Sequence, residues 1–344
     1  MTRGFGIVGT GVIAAIHAEA IALLSKTGRP DALLAAVTDV AAGAAAAFAA
    51  AHGCRAEPDL GTLLARSDVE VVCVCVPTGL HAQIGIQAAQ AGKHVVVEKP
   101  IDVSLDAADR LINATQAAGV ALTVISQHRF DAGLVELKRL LDDGALGRLV
   151  LGEASTKWYR AQGYYDSAAW RGTYAMDGGS LMNQGVHYVD LLRWCLGPPA
   201  EVTAVCTTQA HQIEVEDTAL AIVRFASGAV GTILSSTAAW PGFPQRLEIT
   251  GTEGTVTVHD GQIVRRALTG EAAPAPAADT GLSGAADPAA VDIASHAAQL
   301  ADLLDAVDTG REPAVSGRSG RDALEIILAV YESSRTGRPV RLSS

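Results

Sequence analysis

Hydrophobic and polar positions in the first 125 residues alternate between short aliphatic runs and longer alanine-rich stretches. The aliphatic runs are FGIVG, ALLAAVTD, VEVVCVCVP, KHVVVEKP and VALTVIS, and segments of helix length separate them. Their apolar centres have no polar face, which is typical of strands that are covered on both sides in a parallel sheet. The pattern predicts a doubly wound α/β domain over residues 1–125, with one of its helices near 104–118.

The pattern changes after residue 126, where runs rich in Val, Ile and Thr follow one another at short intervals. These runs are EVTAVCTTQA, DTALAIVRF, GAVGTILSST, RLEITGT and GTVTVHD. Successive strands joined by tight turns predict a large, mainly antiparallel sheet. We therefore predict a second, α+β domain over residues 126–344. Its two closing helices, near 291–309 and 319–336, could pack back on the first domain.

Residues 271–290, EAAPAPAADTGLSGAADPAA, are low in complexity and have no periodic pattern. Such a segment predicts a surface loop. A lid over a binding site is the alternative, since long loops are sometimes functional.

Composition narrows the classes of partner. The net charge is −11, with 49% hydrophobic and 18% charged residues, so the electrostatic field repels nucleic-acid backbones and anionic membranes. No apolar run approaches the roughly 20 residues of a membrane helix. The five cysteines form no CxxC pair and no histidine lies at zinc-ligand spacing, which predicts buried, reduced thiols and no metal site. We expect a cytoplasmic protein that binds a small molecule.

A glycine motif follows the first strand. GTGVIA places Gly9, Gly11 and Ala14 at the opening of the first helix. The first glycine permits a tight turn, the second lets a pyrophosphate approach the backbone, and the small third residue lets helix pack on strand. An ordinary βα turn is the alternative, but the strand before the motif and the helix after it favour a dinucleotide site.

Asp39 ends the second predicted strand, where an acidic side chain can accept hydrogen bonds from the ribose hydroxyls of the cofactor. A carboxylate also repels the 2′-phosphate of NADP, and residues 40–42 contain no Lys or Arg to bind one. The sequence therefore predicts NAD, with NADP as the alternative. Asp39 could instead cap the next helix.

Two further segments carry candidate chemistry. VVVEKP places Glu98, Lys99 and Pro100 at the carboxyl end of a strand, the edge where ligands bind in open parallel sheets. GGSLMNQGVHYVD places Asn183 and His187 four residues apart on one face of a predicted helix. A solvated lysine and a core histidine are the structural alternatives.

Together these motifs resemble one family. GTGVIA, CVPTGLH (75–81), EKP (98–100) and GGSLMNQGVHYVDLL (178–192), in this order, are similar to those of the Gfo/Idh/MocA family of sugar and inositol oxidoreductases. The resemblance extends over essentially the whole chain. It implies a Rossmann domain, a sheet-bearing substrate domain, and assembly into a dimer or tetramer through that sheet.

The resemblance also implies residue roles. Lys99 would bind the reacting hydroxyl and His187 would be the general base, with Asn183 beside it. The residues predicted to bind the cofactor are Gly9, Gly11, Val12, Ile13, Asp39, Pro77, Thr78, His81, Glu98, Lys99 and Gln127. The residues predicted to bind the substrate are Lys99, Arg129, Trp158, Arg160, Tyr165, Trp170, Arg171, Asn183 and His187.

Asn183 departs from the family pattern, in which the position four before the histidine is commonly aspartate. An amide can orient an imidazole or bind a hydroxyl, but it cannot share a proton with it or favour the imidazolium. A strict Asp-His relay is therefore not expected. Asp190, three residues after His187, could either anchor the helix or tune the base.

The segment TKWYRAQGYYDSAAWRGTY contains six of the fifteen aromatic residues of the chain. Aromatic faces can cover the C–H surface of a sugar ring while Tyr hydroxyls, Arg160 and Arg171 bind its oxygens. Core packing or a subunit interface is the alternative.

The sequence thus predicts an NAD-dependent enzyme that transfers hydride between nicotinamide C4 and a secondary alcohol or ketone of a sugar, cyclitol or sugar derivative. Two alternatives stay open. One is an enzyme of the same fold that uses transient oxidation by bound NAD to cleave glycosides. The other is a cofactor-binding sensor without catalytic activity.

Overall fold

The computed structural model describes residues 3–271 and 293–342. Apart from Glu271, the predicted loop at 271–290 lies outside the described residues. The chain forms two compact units. The first runs up to Gln127 and includes a later segment that ends at Arg321, whereas the second begins at His128 and resumes at Asp322.

The first unit contains a six-stranded sheet in the order β3-β2-β1-β4-β5-β6, and all of its strand pairs are parallel. This is the doubly wound arrangement predicted from the sequence. The strands are β1 (Arg3–Val8), β2 (Ala32–Thr38), β3 (Arg55–Ala56), β4 (Val71–Val74), β5 (His94–Val97) and β6 (Leu122–Val124).

The second unit contains an eight-stranded sheet in the order β13-β12-β11-β7-β10-β9-β8-β14. The pair β7 and β10 is parallel and the other pairs between described strands are antiparallel. The mainly antiparallel sheet is confirmed, although β7, β13 and β14 were not among the predicted strands. The strands are β7 (Leu149–Lys157), β8 (Pro199–Thr207), β9 (Thr218–Phe225), β10 (Val230–Ser236), β11 (Arg246–Gly251), β12 (Gly254–His259), β13 (Gln262–Leu268) and β14 (Val340–Arg341).

Helices cover both sheets. They are α1 (Val12–Thr27), α2 (Ala42–His52), α3 (Leu60–Leu64), α4 (His81–Gln90), α5 (Leu105–Ala118), α6 (Ala132–Asp142), α7 (Gln162–Asp166), α8 (Val186–Leu196), α9 (Ile293–Thr309) and α10 (Gly317–Thr336). In the described residues, no helix combines the length and the apolarity that crossing a membrane requires.

Helix α9 belongs to the first unit because it packs on α1. Ala14 and Ala18 of α1 lie in one buried cluster with Leu300, Leu303 and Leu304 of α9. Small residues on α1 let the leucines approach closely, and each buried leucine contributes about 2 kcal/mol of apolar transfer free energy. The chain therefore returns from the second unit to complete the core of the first.

The large sheet has one covered and one open face. Leu192 and Leu196 of α8 cover the sheet at Gly152, where an added Cβ would lie 2.7 Å or less from their side chains. Along β9, burial alternates with exposure. Five apolar side chains that are exposed on the strands of this sheet share one face, which we call the open sheet face: Leu151, Val205, Leu220, Ile222 and Val230.

Candidate functional site

The glycine motif of the first unit forms a cradle at the N-terminus of α1. Gly9 has φ +95°, and an added Cβ would lie 2.3 Å from the carbonyl oxygen of Cys75. Gly11 caps α1, and an added Cβ there would meet nothing within 4 Å. The open backbone at a helix N-terminus fits the pyrophosphate of a dinucleotide. Val12, next to it, is 62% exposed, and Ile13 packs at the edge of the core.

Asp39 lies at the end of β2 beside this cradle. One carboxylate oxygen accepts hydrogen bonds from the backbone N–H and the hydroxyl of Thr10, both at 2.8 Å, and the other accepts from the N–H of Ala41 at 2.8 Å. Ala41 rather than Asp39 is the N-cap of α2. The carboxylate thus connects β2 to the glycine loop, at the position where a ribose hydroxyl would be bound.

The predicted cofactor loop after β4 is held by His81. Its ring nitrogens lie 2.9 Å from the carbonyl oxygen of Val76 and 2.8 Å from that of Pro100, and the side chain is 1% exposed. Burial lowers the pKa of His81 more than these carbonyls raise it. His81 therefore joins two loops, and its direct contact with a cofactor stays a prediction. Pro77 and Thr78 begin the short helical turn between these contacts.

Glu98 is fixed between a histidine and the lysine that follows it. Its Oε1 lies 2.8 Å from Nε2 of His17 on α1, and its Oε2 accepts the backbone N–H of Lys99 at 3.1 Å. His17 and Glu98 are 0% and 4% exposed. The sequence did not identify His17 as a site residue, because its partner lies 81 positions away. A single histidine on the apolar face of a helix usually packs in the hydrophobic core.

Burial opposes ionisation of both members of this pair, but their interaction favours it. The hydrogen bond and charge of His17 lower the pKa of Glu98 to about 2 despite burial. Burial alone would lower the pKa of His17, but the sulfur atoms of Cys75 and Cys73 and the carboxylate of Glu98 raise it well above its ordinary value. Burial raises the pKa of the Cys75 thiol to about 11. The thiol is therefore neutral near pH 7, so Glu98 is the anion that stabilises the imidazolium.

His296 of α9 completes this cluster. Its ring lies edge-on to that of His17, with 5.7 Å between the centroids. Ligand-type atoms of His17, Glu98 and His296 all lie within 4.8 Å of one another. The 2.8 Å between His17 and Glu98 is an ordinary charge-assisted hydrogen-bond length, so the contacts are explained by an ion pair.

Gln127, the last residue of the first unit, is 5% exposed, and its Oε1 accepts no hydrogen bond among the described residues. A buried amide oxygen without a partner is rare and indicates a ligand or water. Together with the open cradle at Gly11, this oxygen fits a polar cofactor at the carboxyl edge of the sheet.

The candidate base of the second unit lies just after a π-helical turn. Leu181–Gly185 form this turn and α8 continues from Val186, so Asn183 and His187 do not lie on one regular α-helix as predicted. Such π turns are frequent at functional sites. Asn183 donates from its side-chain amide to Asp177, which also accepts the N–H of Gly172 at 2.9 Å.

His187 is 8% exposed and packs against a second histidine that sequence reasoning missed. The rings of His187 and His128 meet edge to face, with 5.0 Å between the centroids. Nδ1 of His128 lies 2.7 Å from a carboxylate oxygen of Asp131. His187 thus lies beside a His-Asp pair supplied by the segment before α6.

Arg129 and Asp190 form a buried ion pair. Nε of Arg129 donates to Asp190 at 2.7 Å, and Nη2 donates to the other carboxylate oxygen. The guanidinium also lies over the ring of Trp194 at 5.4 Å. Asp190 therefore anchors α8, one of its two predicted roles. Because Asp190 and Trp194 hold the guanidinium of Arg129, these contacts do not support the prediction that Arg129 binds substrate.

The aromatic segment divides into core and site residues. Tyr165 is 5% exposed, and its hydroxyl lies 2.8 Å from that of Thr237. Because the Tyr165 side chain is buried and paired with Thr237, these contacts do not support its predicted contact with substrate, which stays a prediction. Three of the other rings of the segment, those of Trp158, Tyr164 and Trp170, pack against two arginines. Arg160 lies over Trp158 and Tyr164, and Arg171 over Tyr164 and Trp170.

Glu216, also missed from the sequence, holds the start of the π turn. Its Oε1 accepts the N–H of Leu181 at 2.8 Å and the hydroxyl of Tyr331 at 3.1 Å. Burial raises the pKa of Glu216 to about 7. Gly179 is required next to it, because an added Cβ would lie 1.8 Å from the carboxylate.

The cysteines are only partly as predicted. Cys73, Cys75 and Cys195 are buried, but Cys54 and Cys206 are partly exposed, and all five are free thiols.

Two family models match the chain. Residues 3–126 match the model described as "Oxidoreductase family, NAD-binding Rossmann fold", and residues 134–257 match the GFO/IDH/MocA C-terminal domain.

Among curated relatives, the inositol 2-dehydrogenase of Rhizobium meliloti is 28% identical over 100% of both chains. The myo-inositol 2-dehydrogenase of Thermotoga maritima is 29% identical over 98% of each. Among solved structures, the WlbA dehydrogenase from Bordetella pertussis, in complex with NADH and UDP-GlcNAcA, superposes with a TM-score of 0.88 at 33% identity, covering 100% of both chains. The chain therefore belongs to the Gfo/Idh/MocA family of NAD-dependent oxidoreductases.

Proposed function

We propose that this enzyme oxidises a secondary alcohol of a sugar, cyclitol or sugar derivative, or reduces the corresponding ketone, with NAD. Curated relatives named as inositol 2-dehydrogenases support a polyol substrate. The observation that carries the proposal is the edge of the first sheet, where an open helix N-terminus at Gly11 and the Lys99 backbone fixed by Glu98 occur together.

Gly9, Gly11, Asp39 and Gln127 would hold the cofactor, whose nicotinamide supplies the hydride acceptor. The ammonium group of Lys99 hydrogen-bonds the reacting hydroxyl and stabilises the alkoxide that develops there. His187 accepts the hydroxyl proton as general base. Because Asn183 is bound to Asp177 and carries no exchangeable carboxyl proton, His187 takes this proton without an Asp at the position four before it.

The experiment is a spectrophotometric screen of purified protein with NAD or NADP against inositols, neutral sugars and sugar acids. With the best substrate, Lys99→Met and His187→Ala should each lower kcat at least about a hundredfold. Lys26→Met and His52→Ala are matched controls, because Lys26 is exposed at the end of α1 and His52 ends α2. Near-normal turnover in either site variant, or no oxidation of any polyol, would contradict the proposal. Glycoside cleavage without net NADH would favour the alternative enzyme.

We also propose that the enzyme assembles through the open sheet face. Its apolar side chains lie on neighbouring strands, since Leu220 on β9 pairs with Val205 on β8 and Val230 on β10 pairs with Leu151 on β7. Exposed apolar patches of this kind indicate protein contacts. A second copy of the chain presents the same face, as a symmetric interface requires.

A further inference from the structure

The two arginines of the aromatic segment have an unusual environment for a surface that binds only neutral hydroxyls. The guanidinium carbon of Arg171 lies 4.3 Å from the ring centre of Tyr164 and 4.5 Å from that of Trp170. Arg160 lies 5.6 Å from the ring of Tyr164 and 5.0 Å from that of Trp158. Aromatic rings pack against the faces of these guanidinium groups, so any partner of their N–H groups lies in the guanidinium plane.

Arg171 uses only part of its donor capacity within the described residues. Nη1 donates to the hydroxyl of Tyr164 at 2.7 Å, whereas the buried Nε has no hydrogen-bond partner there. The described residues also place no carboxylate within ion-pair distance of Arg171, in a chain that carries eleven more acidic than basic side chains. A buried donor of a charged group costs free energy unless a ligand or water satisfies it.

Charged groups of both signs lie near Tyr164. Burial raises the pKa of Tyr164, Asp177 raises it further, and Arg171 and Arg160 lower it. Two guanidinium groups and one carboxylate therefore act on the same phenol. The carboxylate of Asp177 already accepts hydrogen bonds from the side-chain amide of Asn183 and the backbone N–H of Gly172.

The same contacts tie this cluster to the candidate base. Gly172 follows Arg171 directly, and its N–H is bound by Asp177. Asp177 in turn holds Asn183, which precedes His187 by four residues. Asp177 therefore links the residue after Arg171 to the π turn that precedes His187.

We infer that the substrate carries an anionic substituent, a carboxylate or a phosphate, that Arg171 binds through its free N–H edge, with Arg160 adding charge. This inference rests on the proposed function and narrows its substrate class to acidic or phosphorylated sugar derivatives. Planar carboxylates and phosphate oxygens match the arginine fork, whereas a neutral hydroxyl offers no charge to a desolvated guanidinium.

Matched pairs of acidic and neutral sugars test this inference. Glucuronate against glucose isolates the carboxylate, and glucose 6-phosphate against glucose isolates the phosphate. Binding to the NADH-loaded enzyme is measured by calorimetry, and kcat/KM is measured for every probe that turns over. The acidic member of at least one pair should bind about ten to a hundred times more tightly than glucose. Which pair shows the gain identifies the anion.

Arg171→Gln should remove this preference and leave NADH affinity unchanged, since no predicted cofactor residue belongs to this segment. Arg335→Gln, an exposed arginine paired with Glu332, is the control. Should Arg171→Gln fail to fold, Arg171→Lys keeps the charge without the fork and should weaken the preference.

Equal binding of acidic and neutral probes, or an unchanged preference in Arg171→Gln, would overturn the inference even when neutral polyols are oxidised. The absence of oxidation of any polyol in the wider screen would instead contradict the proposed function.

Discussion

The carboxylate of Glu98 and the imidazole of His17 form a buried ion pair, with 2.8 Å between Oε1 and Nε2. The pair connects α1, which starts at the dinucleotide cradle, to the backbone N–H of Lys99. A buried pair of this kind stabilises less than its Coulomb energy suggests, because both groups lose hydration. The main effect of the pair is to fix the position of the Glu98 carboxylate, which accepts the backbone N–H of Lys99.

Replacing one partner should therefore be costly. His17→Ala leaves the charge of Glu98 buried without its partner, and the free energy of unfolding should fall by about 3–5 kcal/mol. Urea denaturation measures this loss. The double variant His17→Ala/Glu98→Gln should lose less than the sum of the single variants, because it buries no unpaired charge. Additive losses would show that the pair is not coupled.

Asp39 should determine the choice between NAD and NADP. Asp39→Asn removes the charge that would repel a 2′-phosphate, so the affinity for NADPH relative to NADH should rise at least about tenfold. Fluorescence titration with both cofactors measures the ratio. Asp106→Asn, an exposed change on α5 where the side chain is 81% accessible, should leave it unchanged. A ratio unaltered by Asp39→Asn would remove the carboxylate from cofactor selection.

The first unit was the more predictable part of the chain, because its signals are local. The glycine motif, the strand before it and the acidic residue after β2 are each readable within a few positions. The role of His17 could not be predicted in this way, because it depends on Glu98, which follows β5. The pattern left open whether the closing helices pack back on the first domain, as α9 does, since an amphipathic helix does not specify which core it joins.

The second unit shows the same limit in its site. Spacing alone placed Asn183 and His187 on an α-helix, but no sequence signal revealed the π turn that begins at Leu181. Aromatic clustering indicated a binding surface without separating Tyr165, which packs in the core, from the rings around Arg171. The partners that decide each role, such as Asp177 and Glu216, come from distant segments or from turns.

Glu216 should make the stability of the second unit depend on pH. Its pKa is about 7 in the folded protein, above the ordinary value near 4.5, so the folded state binds the extra proton between these values. Stability should therefore decrease as pH rises from about 4.5 to 7 and stay level above. Glu216→Gln should remove up to about 3 kcal/mol of this decrease. Urea unfolding of both proteins at several pH values measures it, and parallel curves would contradict the assignment.

The open sheet face should determine the oligomeric state. Ile222 is 59% exposed on β9, where a lysine would place a charge inside an apolar interface between copies. Ile222→Lys should therefore convert the oligomer to a monomer of 35.3 kDa, as measured by light scattering after size exclusion. Val135→Lys makes the same kind of change on α6, where Val135 is 51% exposed, and should leave the mass unaltered. Each copy contributes the same face to a symmetric contact, so one substitution introduces the charge twice. If Ile222→Lys kept the mass of the unsubstituted oligomer, the interface would lie elsewhere.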